Sequence, residues 1–159
     1  MGQSFMAVSQ TFDSMILNLG CGNVFMPKAI NHDLWIHGSW VDVAHDLNVY
    51  PWPWPDNRFA LVYAIDLIEH LDSFIGFFDE CWRILTPGGR VAVRTPRWDS
   101  MNTYIDPTHK RGYHAESFDY LDPSTEWGSR YGMYTTRKWK KVEVIDDLNL
   151  HAVMEAVKP

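Results

Sequence analysis

Apolar positions along the chain gather in short runs, several of which stop at a glycine or an acidic residue. Ile16-Leu17-Asn18-Leu19 ends in Gly20-Cys21-Gly22, the stretches 29–33 and 41–46 end on Asp33 and Asp46, and 60–65 is apolar throughout before Asp66. Runs of this kind suit strands buried on both faces of a parallel sheet. A fifth such strand is predicted over 90–95. Before it, Phe74, Phe78, Cys81 and Leu85 recur at helical spacing behind a capping Asp72 or Ser73, and Pro87-Gly88-Gly89 supplies the stop. This aromatic stripe reads as core. Stretches 139–145 and 148–157 have strand composition with Asp146-Asp147 near the turn, so they read as a closing antiparallel hairpin.

The connections are short. Ten residues separate Gly22 from Asp33, with Pro27 among them, and the link from Asp33 to Asp46 is similarly compressed, filled by Trp35, His37, Gly38 and Trp40. A crossover with its helix normally takes at least about 10–12 residues, so turns or a single helical turn are expected here. Alternating prolines in 50–58 impose an extended path; its tryptophans read as cover for one side of the sheet, with a ligand wall as the alternative. Residues 96–138 lack long periodicity but are rich in aromatics, and 115–121 reads as a short helix. Residues 1–13 read as an N-terminal arm ahead of a single domain over 14–159.

A length of 159 residues with 46% hydrophobic content supports one domain with a real core. The net charge of −6 disfavours a nucleic-acid partner; the one basic run, Arg137-Lys138-Trp139-Lys140-Lys141, reads more simply as a protected strand edge. The two cysteines, Cys21 and Cys81, fit neither a disulfide framework nor a metal motif, and no metal site is read from the sequence. No run approaches the ~18 apolar residues of a membrane span, and the N-terminus has no signal pattern. A reducing, cytoplasmic setting is therefore the expectation.

The candidate chemistry lies where the runs stop. Gly20 and Gly22 allow a sharp turn in which a ligand lies directly against main-chain N–H groups. In a doubly wound sheet, ligands sit outside the carboxyl ends of the strands, so that turn converges with Asp33 and Asp46. One carboxylate can accept both hydroxyls of a ribose and the other an exocyclic amine of adenine. A nicotinamide-binding fingerprint needs a small residue where this chain has Phe25.

In this order, Leu17-Asn18-Leu19-Gly20-Cys21-Gly22-Asn23, Val43-Ala44-His45-Asp46-Leu47-Asn48, Pro53-Trp54-Pro55-Asp56-Asn57-Arg58-Phe59, Ile68-Glu69-His70-Leu71 and 82–90 resemble the class I S-adenosylmethionine-dependent methyltransferases, in their small-molecule, type 11-like branch. The resemblance runs from about residue 14 to about 120 and implies a Rossmann-like α/β fold, a mostly parallel sheet with a C-terminal antiparallel hairpin and shortened first helical connections. It implies S-adenosylmethionine as cofactor and S-adenosylhomocysteine as product. The cofactor would be held by Asn18, Gly20, Cys21 and Gly22, by Asp33 and Leu34, by Asp46 and Leu47, and at its sulfonium end by Ile65 and Asp66.

Asp106-Pro107-Thr108-His109-Lys110-Arg111 with Glu116-Ser117-Phe118 also resembles an acceptor-side segment of such enzymes, which makes 96–138 a lid over a small-molecule acceptor, its aromatics forming the acceptor pocket. The proton of that acceptor would go to His109, His70 or His114; each can equally be a structural histidine. A homodimer completing an open pocket is a further expectation. The competing reading is a degenerate cofactor fold acting as a non-catalytic interaction or accessory module.

Overall fold

A computed structural model describes residues 15–159; the expected arm over 1–13 lies outside them. Among the described residues seven strands form one sheet: β1 (Ile16–Leu19), β2 (Ile30–Asp33), β3 (Val43–Ala44), β4 (Phe59–Ile65), β5 (Leu85–Pro96), β6 (Lys138–Asp146) and β7 (Asn149–Val157). Their order is β3-β2-β1-β4-β5-β7-β6. The first five run parallel, and β7 runs antiparallel to both its neighbours. This is the predicted mostly parallel α/β sheet with its closing hairpin.

Register lines the apolar side chains into one buried face. Leu17 pairs with Val62 and Leu19 with Ala64; Val62 pairs with Val91, which pairs with Met154. All are essentially inaccessible. The helix α1 (Phe74–Ile84) packs Phe77, Phe78, Cys81 and Ile84 on this face, its start fixed by Ser73 Oγ accepting the Gly76 amide at 2.9 Å. Trp52 and Trp54 complete the cover, so the Pro-Trp connector is core, held there by Arg83, which donates to the Trp52 and Trp54 carbonyls, Glu80 and Asp56.

One boundary differs from expectation. The helix ends at Ile84 and Leu85 already belongs to β5, opposite Phe59, so Pro87-Gly88-Gly89 lies within the strand assignment at an irregularity in the β4–β5 register. Leu85 is buried by strand pairing rather than by the helix face.

As expected from their length, the links β1–β2 and β2–β3 carry no helix. Side chains do the work of the missing helical hydrogen bonds. Asn18 Nδ2 donates to Asn31 Oδ1 (3.0 Å) and to the Val24 carbonyl (3.3 Å), while Asn31 accepts the Met26 amide and donates to the Met26 carbonyl. Trp40 Nε1 donates to the Gly22 carbonyl over 2.9 Å. The other face of the sheet, with Ile16, Leu61, Tyr63, Ala92 and Val153, is only half-buried.

The segment 96–138 is ordered by short pieces: α2 (Met101–Ile105), a 3-10 turn over Ala115–Leu121, α3 (Glu126–Tyr131) and another turn over Gly132–Tyr134. Phe118 and Tyr113 enter the core against Phe74. Tyr120 stacks on Trp127, with Tyr131 and Tyr134 parallel to it.

Candidate active site

A cavity of about 450 Å³ opens at the carboxyl ends of β1 to β4, a size usual for a small-ligand pocket. Of the residues expected to hold a cofactor, Gly20, Gly22, Asp33, Leu34, Asp46, Leu47 and Asp66 line it. Gly20 and Gly22 have φ of +61° and +53°, the left-handed region that glycine tolerates best. A Cβ on Gly20 would strike Leu67 at 2.8 Å, whereas one on Gly22 would meet nothing within 4 Å. The wall is thus bare main chain at Gly22, with open space before it.

Asp33 fastens this turn. Its Oδ2 accepts the Gly22 amide and its Oδ1 the Leu34 amide, both at 2.7 Å, with His37 Nε2 at 3.4 Å from Oδ2. Burial works to raise its pKa, but the two amides and His37 outweigh burial and hold it below the ordinary value. Asp46 is exposed, and among the described residues its carboxylate accepts only the Asn48 amide, at 2.9 Å. Asp66 takes φ of +50° at the end of β4 and is paired with Arg94. Leu34 and Trp35, both well exposed, form an apolar flank.

The remaining three expected cofactor residues serve the frame. Asn18 holds the β1–β2 loop as described. Cys21 is buried, its thiol pushed up to about 11 by burial and then by Asp33. Ile65 is half-buried beside the site. None of the three lines the cavity. His32 lines it without having been expected. Its Nδ1 accepts the Gly20 amide (3.4 Å) and its Nε2 donates to the His45 carbonyl (2.9 Å), which ties the glycine turn to the end of β3.

At the other end of the cavity stand His70, Thr108 and Lys110. His70 Nδ1 is 2.9 Å from Thr108 Oγ1, which also bonds Asp106 Oδ1 at 2.6 Å. Burial, then the adjacent His109, lowers the pKa of His70. The rings of His70 and His109 meet edge to face at 4.6 Å, and His109 Nε2 lies 4.0 Å from Oε1 of Glu69. Glu69, His70 and His109 offer ligand atoms within 4.8 Å of one another; so do Cys21, Asp33 and His37.

His114 is placed elsewhere. Its Nδ1 accepts the Glu116 amide at the head of the 115–121 turn and its ring faces Trp98. The aromatics of 96–138 likewise stay off the cavity, which that segment reaches through Thr108 and Lys110. They are occupied by the core and by their own stack. A lysine anchored on Asp72 and an Arg111 bonded to the Asp72 carbonyl hold the segment down.

Residues 17–93 match the family described as a methyltransferase domain. The fold is shared over nearly the whole chain: a methyltransferase from Archaeoglobus fulgidus described as S-adenosylmethionine-dependent superposes with a TM-score of 0.61 at 18% identity, over 88% of this chain and 85% of that one. Residues 17–93, just under half of the chain, are those of a methyltransferase domain, and the fold is that of the class I S-adenosylmethionine-dependent methyltransferases. Among curated relatives, a probable S-adenosylmethionine-dependent methyltransferase of Mycolicibacterium smegmatis is 35% identical over 79 residues, 47% of this chain and 30% of its own length. A sterol 24-C-methyltransferase of Pneumocystis carinii is 36% identical over 61 residues, 37% of this chain and 16% of its own length. The methyltransferase domain thus spans less than a third of the curated relatives it matches. The cofactor of this family, S-adenosylmethionine, fits the residues present: bare main chain at Gly22, two carboxylates and an apolar flank.

Proposed function

We propose that the protein binds S-adenosylmethionine in this cavity and transfers its methyl group to a small-molecule acceptor. The convergence of the Gly20-Cys21-Gly22 turn with Asp33 and Asp46 on one cavity carries the reading. Gly20 and Gly22 approach the methionine portion. Asp33 retains lone pairs for the ribose hydroxyls after accepting its two amides, because each ionised oxygen accepts more than one bond. Exposed Asp46, with the Leu47 main chain, reads the adenine edge, and Leu34 and Trp35 cover its face. Main chain at Ile65 and Asp66 borders the sulfonium.

When bound, the cofactor supplies an activated methyl group on a positive sulfonium. The protein's share is to align the acceptor in line with that methyl and to handle an O–H or N–H proton. That task falls to His70 in the cavity wall, with His109 and Glu69 behind it, since His114 stands away from the cavity.

The short β1–β2 and β2–β3 links favour a second reading, an accessory module that has kept the fold and lost the chemistry. Calorimetric titration of the folded protein with S-adenosylmethionine and S-adenosylhomocysteine separates the two. Micromolar binding of both, weakened on Asp46→Ala, is the result expected of a methyltransferase. Absence of binding by either ligand overturns it.

A further inference from the structure

Among the described residues, Glu69 carries a carboxylate that is enclosed and has no donor. It is 1% exposed, and neither Oε1 nor Oε2 has a hydrogen-bond partner. Burial raises its pKa; its own amide and then the Thr95 hydroxyl oppose that from nearby, and the Thr95 hydroxyl is itself buried without a partner. An isolated buried carboxylate costs several kcal/mol, so such a group is normally protonated or paired with a cation.

Two histidines face it, and their outer hydrogen bonds fix which nitrogen is left over. His109 Nδ1 sits 3.2 Å from the Thr103 carbonyl, which can only accept, so Nδ1 holds the proton and Nε2 the lone pair. That Nε2 is the atom 4.0 Å from Glu69 Oε1 and 3.8 Å from Asp106 Oδ2. For His70 the chain is one bond longer. The carboxylate of Asp106 can only accept, so Thr108 spends its single proton there, and Nδ1 of His70 must donate to Thr108 Oγ1. His70 is thereby also left with a lone pair on Nε2. Histidines whose far nitrogen donates to a carbonyl or to a hydroxyl backed by a carboxylate are set up as metal ligands.

We propose that Glu69, His70 and His109 bind one divalent cation of the first transition row, of the Mn2+ or Zn2+ type. Two imidazoles and a carboxylate suit such ions. Metal–nitrogen bonds of about 2.0–2.1 Å require the donors, now within 4.8 Å of one another, to draw in slightly around the ion. The cation satisfies the buried carboxylate. Three protein ligands leave open positions, and of the three His70 lines the cavity wall, which puts the ion at that wall.

The substrate class follows from the placement and rests on the methyl-transfer reading above. An alcohol or phenol oxygen on the cation is acidified. Its O–H bond breaks with the proton leaving to solvent, the oxygen's electron pair forms the O–CH3 bond, and the C–S bond of the sulfonium breaks with its electron pair returning to sulfur. The products are a methyl ether and S-adenosylhomocysteine. The acceptor is therefore a hydroxyl compound.

The metal site is tested without any acceptor. The protein is stripped with a chelator, then titrated with MnCl2 and with ZnCl2 by calorimetry, and melted with and without each salt. One equivalent of ion per chain and a raised Tm are expected, with affinity falling at least about tenfold in both Glu69→Gln and His109→Gln, variants close to isosteric. Failure to bind either ion overturns the proposal. So does binding that survives in both variants, or that is lost in Cys21→Ala instead, which would place the ion at the Cys21, Asp33 and His37 group. Titration of the stripped protein with S-adenosylhomocysteine reports separately on the cofactor reading.

Discussion

The Gly22 amide donates to Oδ2 of Asp33 over 2.7 Å, so the turn that leaves β1 is pinned by the residue that ends β2. In the proposed complex one carboxylate thus has two duties, shaping the loop and holding the ribose. Asp33→Ala removes acceptors for the Gly22 and Leu34 amides, each bond to a charged group being worth about 1.5–3 kcal/mol. Cofactor affinity is expected to fall by more than about 100-fold and Tm to drop by about 5 °C or more. Calorimetry beside a thermal melt checks both.

Asp46 provides the contrast. Its exposed carboxylate bonds only the Asn48 amide among the described residues, so the side chain contributes little to the frame. Asp46→Ala is expected to weaken cofactor binding by about 1–3 kcal/mol while leaving Tm within about 2 °C of the parent. A large fall in Tm would move Asp46 from ligand contact to scaffold.

Glycine positions separate strain from occupancy. Gly22 and Gly88 both have positive φ, +53° and +74°, and neither has an atom within 4 Å of a built Cβ. Alanine at either should therefore cost a similar conformational penalty, about 1–2 kcal/mol. Gly22 lines the cavity and Gly88 does not. Gly22→Ala should lower cofactor affinity as well as stability, and Gly88→Ala stability alone; chemical denaturation paired with calorimetry measures the difference.

His32 sets a pH limit. Burial lowers its pKa from the ordinary 6.5 to about 4, against the raising effects of the His45 carbonyl and Asp33, and the Trp54 ring packs edge-on beside it. Protonation would place a proton on Nδ1, the atom that accepts the Gly20 amide. Between pH 6.5 and about 4 the unfolded chain takes up a proton that the folded chain refuses. Stability is therefore intact above 6.5 and declines as pH falls, by about 3 kcal/mol at most from this group. Urea denaturation at pH 7, 5.5 and 4.5 should show that decline, and His32→Gln should flatten it.

Much of the fold is written in the runs of apolar residues, because a parallel strand buried on both faces tolerates few alternatives; all five parallel strands, α1 and the hairpin follow from them. The glycine turn and both aspartates could be placed at one crevice for the same reason, since parallel strands share an end. Other features depend on which surface a side chain finally meets. The aromatics of 96–138 resemble a pocket lining in composition, yet Trp127, Tyr131 and Tyr134 recur at three- and four-residue intervals, and that spacing stacks them on one another. His109, read from sequence as a proton acceptor, lies behind the cavity wall with its partner Glu69. The carboxylate gave no periodic signal because it sits in a three-residue turn, and only the tertiary structure brings residue 109 beside it.

The helix-free links carry a dynamic consequence. Contacts within the β1, β2 and β3 group join residues only 11 to 13 positions apart, as in Leu17 with Ile30 and His32 with Val43, whereas β1 meets β4 across 45 positions, Ile16 with Leu61. Short loops close at small entropic cost, so this half re-forms readily after opening. It also covers little apolar surface on its outer side, so opening is inexpensive. Amide hydrogens of β2 and β3 should exchange with deuterated solvent well before those of β4, β5 and β7. A ligand seated against Gly22, Asp33 and Asp46 spans that loose half and supplies cohesion that its own links do not, so occupancy and protection from exchange rise together.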